Sequence, residues 1–281
     1  MRYSTEAPNR PQFVSGGRAK THDKLFRTVA AKTSAADRKG GILLAGGTGP
    51  IDIAVRDAQR GLRYDRLPSW WSRAAIILDW SDNASADEII GIEVPLVPTD
   101  RSVPERNGAT LFALSQYEDR EAFPNLGFGC LKHASTKDEG GGLVTESLKA
   151  TICDAALNPC RDRTRFRLWD WMGLWLAHTI AGAENPLLQG VAHPGAGLCE
   201  YAYGAAGFDL TPGATEPCAS PEVIWSTLLY WTGRLSGNRK RVAAFHSVMK
   251  EESPSRKPLG ISLEGDFQAR GTHPPRPRGK K

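Results

Sequence analysis

Five cysteines, Cys130, Cys153, Cys160, Cys199 and Cys218, are the strongest nucleophiles this 281-residue chain can offer. A thiol becomes useful when an imidazole takes its proton and a helix N-terminus stabilises the thiolate. His193 and Cys199 come nearest to that requirement. His193 stands just before a helix that starts at Pro194, and Cys199 lies one turn inside it. That depth takes Cys199 away from the free N–H groups of the first turn, and a buried, inert thiol is the competing reading. A second polar pair, Ser72-Arg73, stands where an apolar run enters the core, with snorkelling of Arg73 to solvent as its plainer explanation. His133 and His178 read as ordinary loop and helix residues. No two cysteines form a C-x-x-C pair, and Cys153 and Cys160 lack a partner pair, so neither a zinc site nor a cofactor is expected.

The elements that must position these residues are organised around Trp70–Trp80, WWSRAAIILDW. Ala74–Leu78 is an unbroken apolar run, too short for a typical helix, and reads as a strand buried on both faces. Gly41–Ala45 is a similar short strand. Gly46-Gly47-Thr48-Gly49 breaks it, and Pro50 opens a helix with Ile51, Ala54, Val55 and Ala58 at helical spacing. The glycine loop could cradle phosphate, but no Lys-Ser/Thr follows it and the third glycine of a dinucleotide fingerprint is missing, so a tight turn is the expectation. Asp79–Asp87 reads as a hairpin connection to a strand in Glu88–Val97, with Ile90, Ile92 and Val94 on one face and Glu93 on the other.

Gly108–Leu114 and Gly127–Leu131 are weaker strand candidates. Thr145–Leu157 reads as a helix stopped by Asn158-Pro159. Phe166–Ile180, with Trp169, Trp171 and Trp175, reads as a mostly buried helix. Pro194–Ala206 is a small-residue helix capped by Gly207, and Pro221–Trp231 is a helix with Ser220 as its N-cap.

The net charge of +5 is unevenly spread: residues 1–40 carry +6, residues 237–281 carry +7, and residues 41–236 carry −8. The ends therefore read as a basic, mostly disordered N-terminal segment (1–40, with a short helix at His22–Lys32) and a basic, Pro-rich disordered tail (237–281). Such ends could meet an acidic partner. No recognition motif accompanies the charge, so specific nucleic-acid binding is not expected. There is no apolar run long enough for a membrane span and no apolar segment of a secretory signal. An odd cysteine count without an export signal suggests reduced thiols in a cytoplasm.

Strand GILLAG, then a helix, then S-x-A-A-I-I-L-D, then a strand with a glutamate, and much later a small-residue helix ending in A-A-G-F-D-L-T-P-G: this order resembles the circularly permuted papain-like amidases of bacteria, relatives of cell-wall endopeptidases and of lecithin:retinol acyltransferase. The resemblance covers roughly residues 40–232. It implies an α+β, papain-like fold over residues 41–236: a small, mainly antiparallel sheet packed against several helices. In that family a histidine after the serine of the second strand is the general base, a cysteine opens the late helix, and a polar residue on the next strand orients the imidazole.

By position, these roles fall on Arg73, Gly195 and Glu93. Arg73 cannot accept a proton at usable pH, and Gly195 has no nucleophile. The resemblance therefore implies a catalytically impaired member in which Ser72, Arg73 and Gly195 line a ligand site for an acyl, peptide-like or anionic molecule. Arg73 would face the start of the late helix across a cleft and pair with Glu93. Two alternatives stand beside it: an active thiol hydrolase or acyltransferase using a displaced Cys199/His193 pair with Glu93, and a non-catalytic interaction protein acting through its basic ends.

Overall fold

The computed structural model describes residues 21–63, 66–97, 108–131, 146–162, 168–211, 219–234 and 243–248. Its centre is a six-stranded sheet: β1 (Ile42–Gly46), β2 (Arg73–Asp79), β3 (Ile90–Glu93), β4 (Thr110–Ala113), β5 (Asn125–Leu131) and β6 (Ala243–Val248). The spatial order is β4-β3-β2-β1-β5-β6, and every neighbouring pair is antiparallel. β1 to β4 step outward one after another, and β5 then returns to the other side of β1. In register, Ile42 faces Ile76 on one side and Gly129 on the other, and Ala75 faces Glu93.

All five residues of β1 are buried, as its unbroken apolar run requires of a strand covered on both faces. Alternate side chains divide between two cores. Ile42, Leu44, Ala74, Ile76 and Ile92 pack against three helices, α4 (Glu146–Arg161), α6 (Pro194–Ala205) and α7 (Pro221–Arg234). Leu43, Ala45, Ala75, Ile77, Leu126 and Phe128 face Trp80, Phe112, Tyr117 and the apolar side of α1 (Asp23–Lys32). A third cluster joins α3 (Pro50–Ala58) to α5 (Leu168–Ala181) through Ile51, Val55, Trp175 and Leu187. The expected α+β architecture and antiparallel sheet are present, with α3 starting at Pro50.

Several expectations need correction. Residues 21–40 belong to the folded unit: α1 buries Leu25, Phe26 and Val29, and α2 (Ala35–Arg38) is held by a capping box between Ser34 and Asp37. The C-terminal basic segment likewise contains β6, which pairs with β5 from Leu126↔Val248 to Leu131↔Ala243. The remainder of both ends, residues 1–20 and 249–281, lies outside the described residues. α4 runs through Pro159 instead of stopping before it. In the last turn a proline forfeits one backbone bond, and Asp162 N–H still reaches the Asn158 carbonyl at 2.8 Å. α5 is less buried than its tryptophans suggest: Trp175 is in the core, but Leu174 is 38% and Ile180 73% exposed.

α7 is tied to the chain leading into β2. Ser220 caps it, accepting from Val223 N–H at 3.3 Å. Glu222 in its first turn accepts from buried Arg63 at 2.9 Å and from the Ser69 hydroxyl at 2.7 Å. Ser69 in turn accepts from Trp71 N–H at 3.0 Å, so this ion pair fixes the approach to Ser72 and Arg73.

Candidate functional site

Ser72 and Arg73 meet a carboxylate that the sequence did not single out. Asp52 stands in the first turn of α3, just after the glycine loop. Arg73 Nε donates to Asp52 Oδ1 at 2.9 Å, and Arg73 Nη2 donates to Oδ2 at 3.1 Å. Ser72 Oγ donates to the same Oδ1 at 2.6 Å and accepts from Gly47 N–H at 3.1 Å. Planar bidentate pairing of this kind is strong and directional. It also explains the glycine loop. A β-carbon on Gly47 would stand 2.6 Å from Asp52 Cγ, so the loop wraps a carboxylate supplied by the protein itself. Gly47 N–H, a donor that a phosphate would use, is given to Ser72.

Glu93 is on the same face of the sheet as Arg73 but has other partners. Its carboxylate accepts from the Tyr117 hydroxyl and from Gln116 Nε2 at 3.0 Å. Tyr117 is delivered by a short 3-10 helix, Leu114–Tyr117, that follows β4. Burial, and then the Glu93 charge, push the Tyr117 phenol well above its usual range, so it is a neutral donor. Phe123 covers the Arg73 guanidinium, ring centroid 5.2 Å away. Burial opposes the Arg73 charge, but the Asp52 hydrogen bonds, with Tyr117 and Glu93 nearby, outweigh it and raise its pKa further. The expected Arg73–Glu93 ion pair is replaced by Arg73–Asp52, and Glu93 is taken by Tyr117 and Gln116.

The late helix touches this corner from the other side. His193 is the N-cap of α6: its Nδ1 accepts from Ala196 N–H at 3.2 Å, and its Nε2 bonds the Ser72 carbonyl at 2.9 Å. That arrangement requires a neutral imidazole with the proton on Nε2. Burial lowers its pKa to about 4, with the Ser72 carbonyl working against the shift and Arg73 adding to it. Gly195 lies directly on β2. A β-carbon there would stand 2.3 Å from the Ala74 carbonyl oxygen, far inside contact distance. Ala74 belongs to the core under α6, whereas Arg73 projects to the face that carries Ala75, Tyr117 and Phe123. The β2 backbone separates Arg73 from Gly195, so the two do not face each other across a cleft.

Cys199 is fully buried in the core between α6 and the sheet. Burial, with Glu200 close by, pushes its thiol far above the usual range. Both nitrogens of His193 are engaged by backbone groups, and neither is given to Cys199. The residues considered together in the sequence thus separate into three places: Ser72 and Arg73 on Asp52, Glu93 on Tyr117 and Gln116, and His193 with Gly195 as the joint between α6 and β2. No group of three or more His, Cys, Asp or Glu side chains able to hold a metal occurs among the described residues. Among the described residues no helix is long and apolar enough to cross a membrane.

The corner is a network of fixed charges and neutral donors: a cation, two carboxylates, a phenol and a neutral imidazole. Its serine–carboxylate contact, Ser72 to Asp52, is buried, and Asp52 is also held by Arg73. Sequence reasoning missed Asp52, Tyr117, Gln116 and Phe123. For Asp52 one signal was available, an acid in the first turn of a helix that follows a glycine loop, where carboxylates are favoured. The chain matches no protein-family model, no curated protein and no solved structure.

Proposed function

We propose that this chain is a permuted papain-like amidase-fold protein that has lost amidase chemistry and acts by binding. In support, β1, the glycine loop, α3, β2 and β3 follow one another as the resemblance implies, and α6 is laid on β2 at the position the nucleophile would occupy. The observation that carries the reading is the close approach of Gly195 to the Ala74 carbonyl, which leaves no room for a nucleophilic side chain. Arg73, in the position of the general base, is a permanent cation held by Asp52. Its place across β2 from Gly195 departs from the family's arrangement, in which base and nucleophile adjoin, and so supports only the loss of amidase chemistry. Because Asp52 already neutralises Arg73, an acyl or peptide-like ligand suits the proposal better than an anion.

The test pairs turnover with labelling. Purified protein is given N-acyl dipeptide amides and, separately, a fluorescent iodoacetamide at pH 7. The expected result is no hydrolysis and slower labelling of buried Cys199 than of the partly exposed Cys160. Cys199 labelling faster than Cys160, with turnover that the label abolishes, would instead establish the displaced Cys199/His193 enzyme. Calorimetric binding of an N-acyl dipeptide without cleavage is the positive outcome; absence of any such binding would remove the acyl or peptide ligand class.

A further inference from the structure

Residues 118–124, between the Tyr117 helix and β5, form a strap that lays Phe123 over Arg73. Thr48 N–H bonds the Ala122 carbonyl at 3.0 Å, and His22 N–H bonds the Glu118 carbonyl at 3.1 Å. Thr48 Oγ1 donates to the Glu121 and Ala122 carbonyls at 3.3 Å, and Thr21 forms a β-bridge with Asp119. One anchor is a titratable side chain: His22 Nε2 bonds the Phe123 carbonyl at 2.7 Å. Phe123 is the residue whose ring covers Arg73 and packs on Tyr117, centroids 4.7 Å apart. His22 is buried, and its Nδ1 has no hydrogen-bond partner among the described residues.

We propose that residues 118–124 form an acid-released strap, latched by the neutral His22 imidazole, whose release uncovers Arg73, Asp52 and Tyr117. Closure requires Nε2–H to donate to Phe123 while Nδ1 stays bare. A second proton would sit on Nδ1 in a buried place without an acceptor. To hydrate that proton the ring must leave its pocket, and leaving breaks the bond to Phe123.

Burial is the largest influence and lowers the His22 pKa to about 4, with the bond to the Phe123 carbonyl working against it. The charges that act on it are on the strap, where Arg120 disfavours the imidazolium and Asp119 favours it; from α1, the uncharged Phe26 ring lies 6.4 Å away. A depressed imidazole favours the closed form fully above about pH 6.5 and progressively less as pH falls toward 4. One neighbouring pair works in the other direction. Glu118 bonds Asp23, with Asp87 adding negative charge, and its raised pKa means that acid tightens this link.

Hydrogen exchange resolved by residue, corrected for the intrinsic effect of pH, tests the strap on the full chain. The amides of Thr48, His22 and Phe123 should lose at least about ten-fold more protection between pH 7 and pH 5 in the wild type than in a variant without the His22 imidazole. His22→Gln keeps a donor for Phe123 without a titrating group, and should hold strap protection level over the same range. An equal loss in H22Q overturns the proposal. If H22Q does not fold, the wild-type protein still decides by NMR. The His22 imidazole and the strap amides must titrate with one midpoint, and different midpoints exclude the latch.

Discussion

A methyl group on Gly195 would stand 2.3 Å from a backbone oxygen that cannot rotate away. Gly195→Ala is therefore expected to destabilise the fold by ~1–3 kcal/mol, read as a lower urea midpoint at unchanged slope. The same contact bears on any attempt to rebuild a dyad. Arg73→His with Gly195→Cys should yield a weakened protein without a fast-labelling thiol, because the new side chains would lie on opposite sides of β2. Rapid alkylation of residue 195 in a variant of native stability would refute this geometry. Asp52 supplies a second test. Asp52→Ala leaves the Arg73 cation, 17% exposed, without its carboxylate, at an expected cost of about 3 kcal/mol. Adding Arg73→Ala should restore part of that loss, a coupling that a double-mutant cycle measures.

At the scale of elements, part of each segment set aside for its composition proves structural: residues 21–40 and β6. α1 contributes Leu25, Phe26 and Val29 to the core under Trp80 and Phe128. Leu25→Ala should cost ~2–5 kcal/mol, and a chain lacking residues 1–36 should fail to give soluble protein, whereas loss of an unfolded tail would shift the thermal midpoint very little. The sequence made most of the sheet legible, because β1 and β2 are unbroken apolar runs and β3 alternates. β6 was not legible. AAFHSV sits among charged residues, and an edge strand needs its backbone groups more than an apolar pattern. The candidate site was legible only in part. Ser72-Arg73 could be placed at a strand mouth, but Asp52 and Glu93 lie almost equally far from Arg73 in sequence, and choosing between them as its partner depends on where α3 points its first turn. That is tertiary information.

For the molecule as a whole, the two buried neutral histidines set the acid limit. His193 joins α6 to β2 and has its pKa lowered to about 4. The unfolded chain takes up its proton near pH 6.5 and the folded one only near 4. Unfolding therefore binds protons in that window, and stability falls as pH drops through it. The part due to His193 is of the order of 3 kcal/mol. His193→Asn keeps an effective N-cap without titrating, so its stability profile between pH 7 and pH 4 should be flatter than that of the wild type. Denaturant midpoints measured across that range check it, and an unchanged slope would mean that other groups dominate acid unfolding.

The pairing of β5 with β6 has a consequence for how the chain is made. Leu131 meets Ala243, so β5 is synthesised long before its outer neighbour exists. Until the ribosome has released the segment beyond residue 248, β5 is the exposed margin of a sheet whose residues Asn125–Leu131 are all buried in the finished fold. An unpaired margin of this composition is a template for other chains, and closing so distant a contact is slow. Premature termination between α7 and β6 should therefore produce aggregates, and chaperone demand should peak late in translation. A chain ending at residue 242 that stayed monomeric would show that the remaining five strands shield β5 on their own.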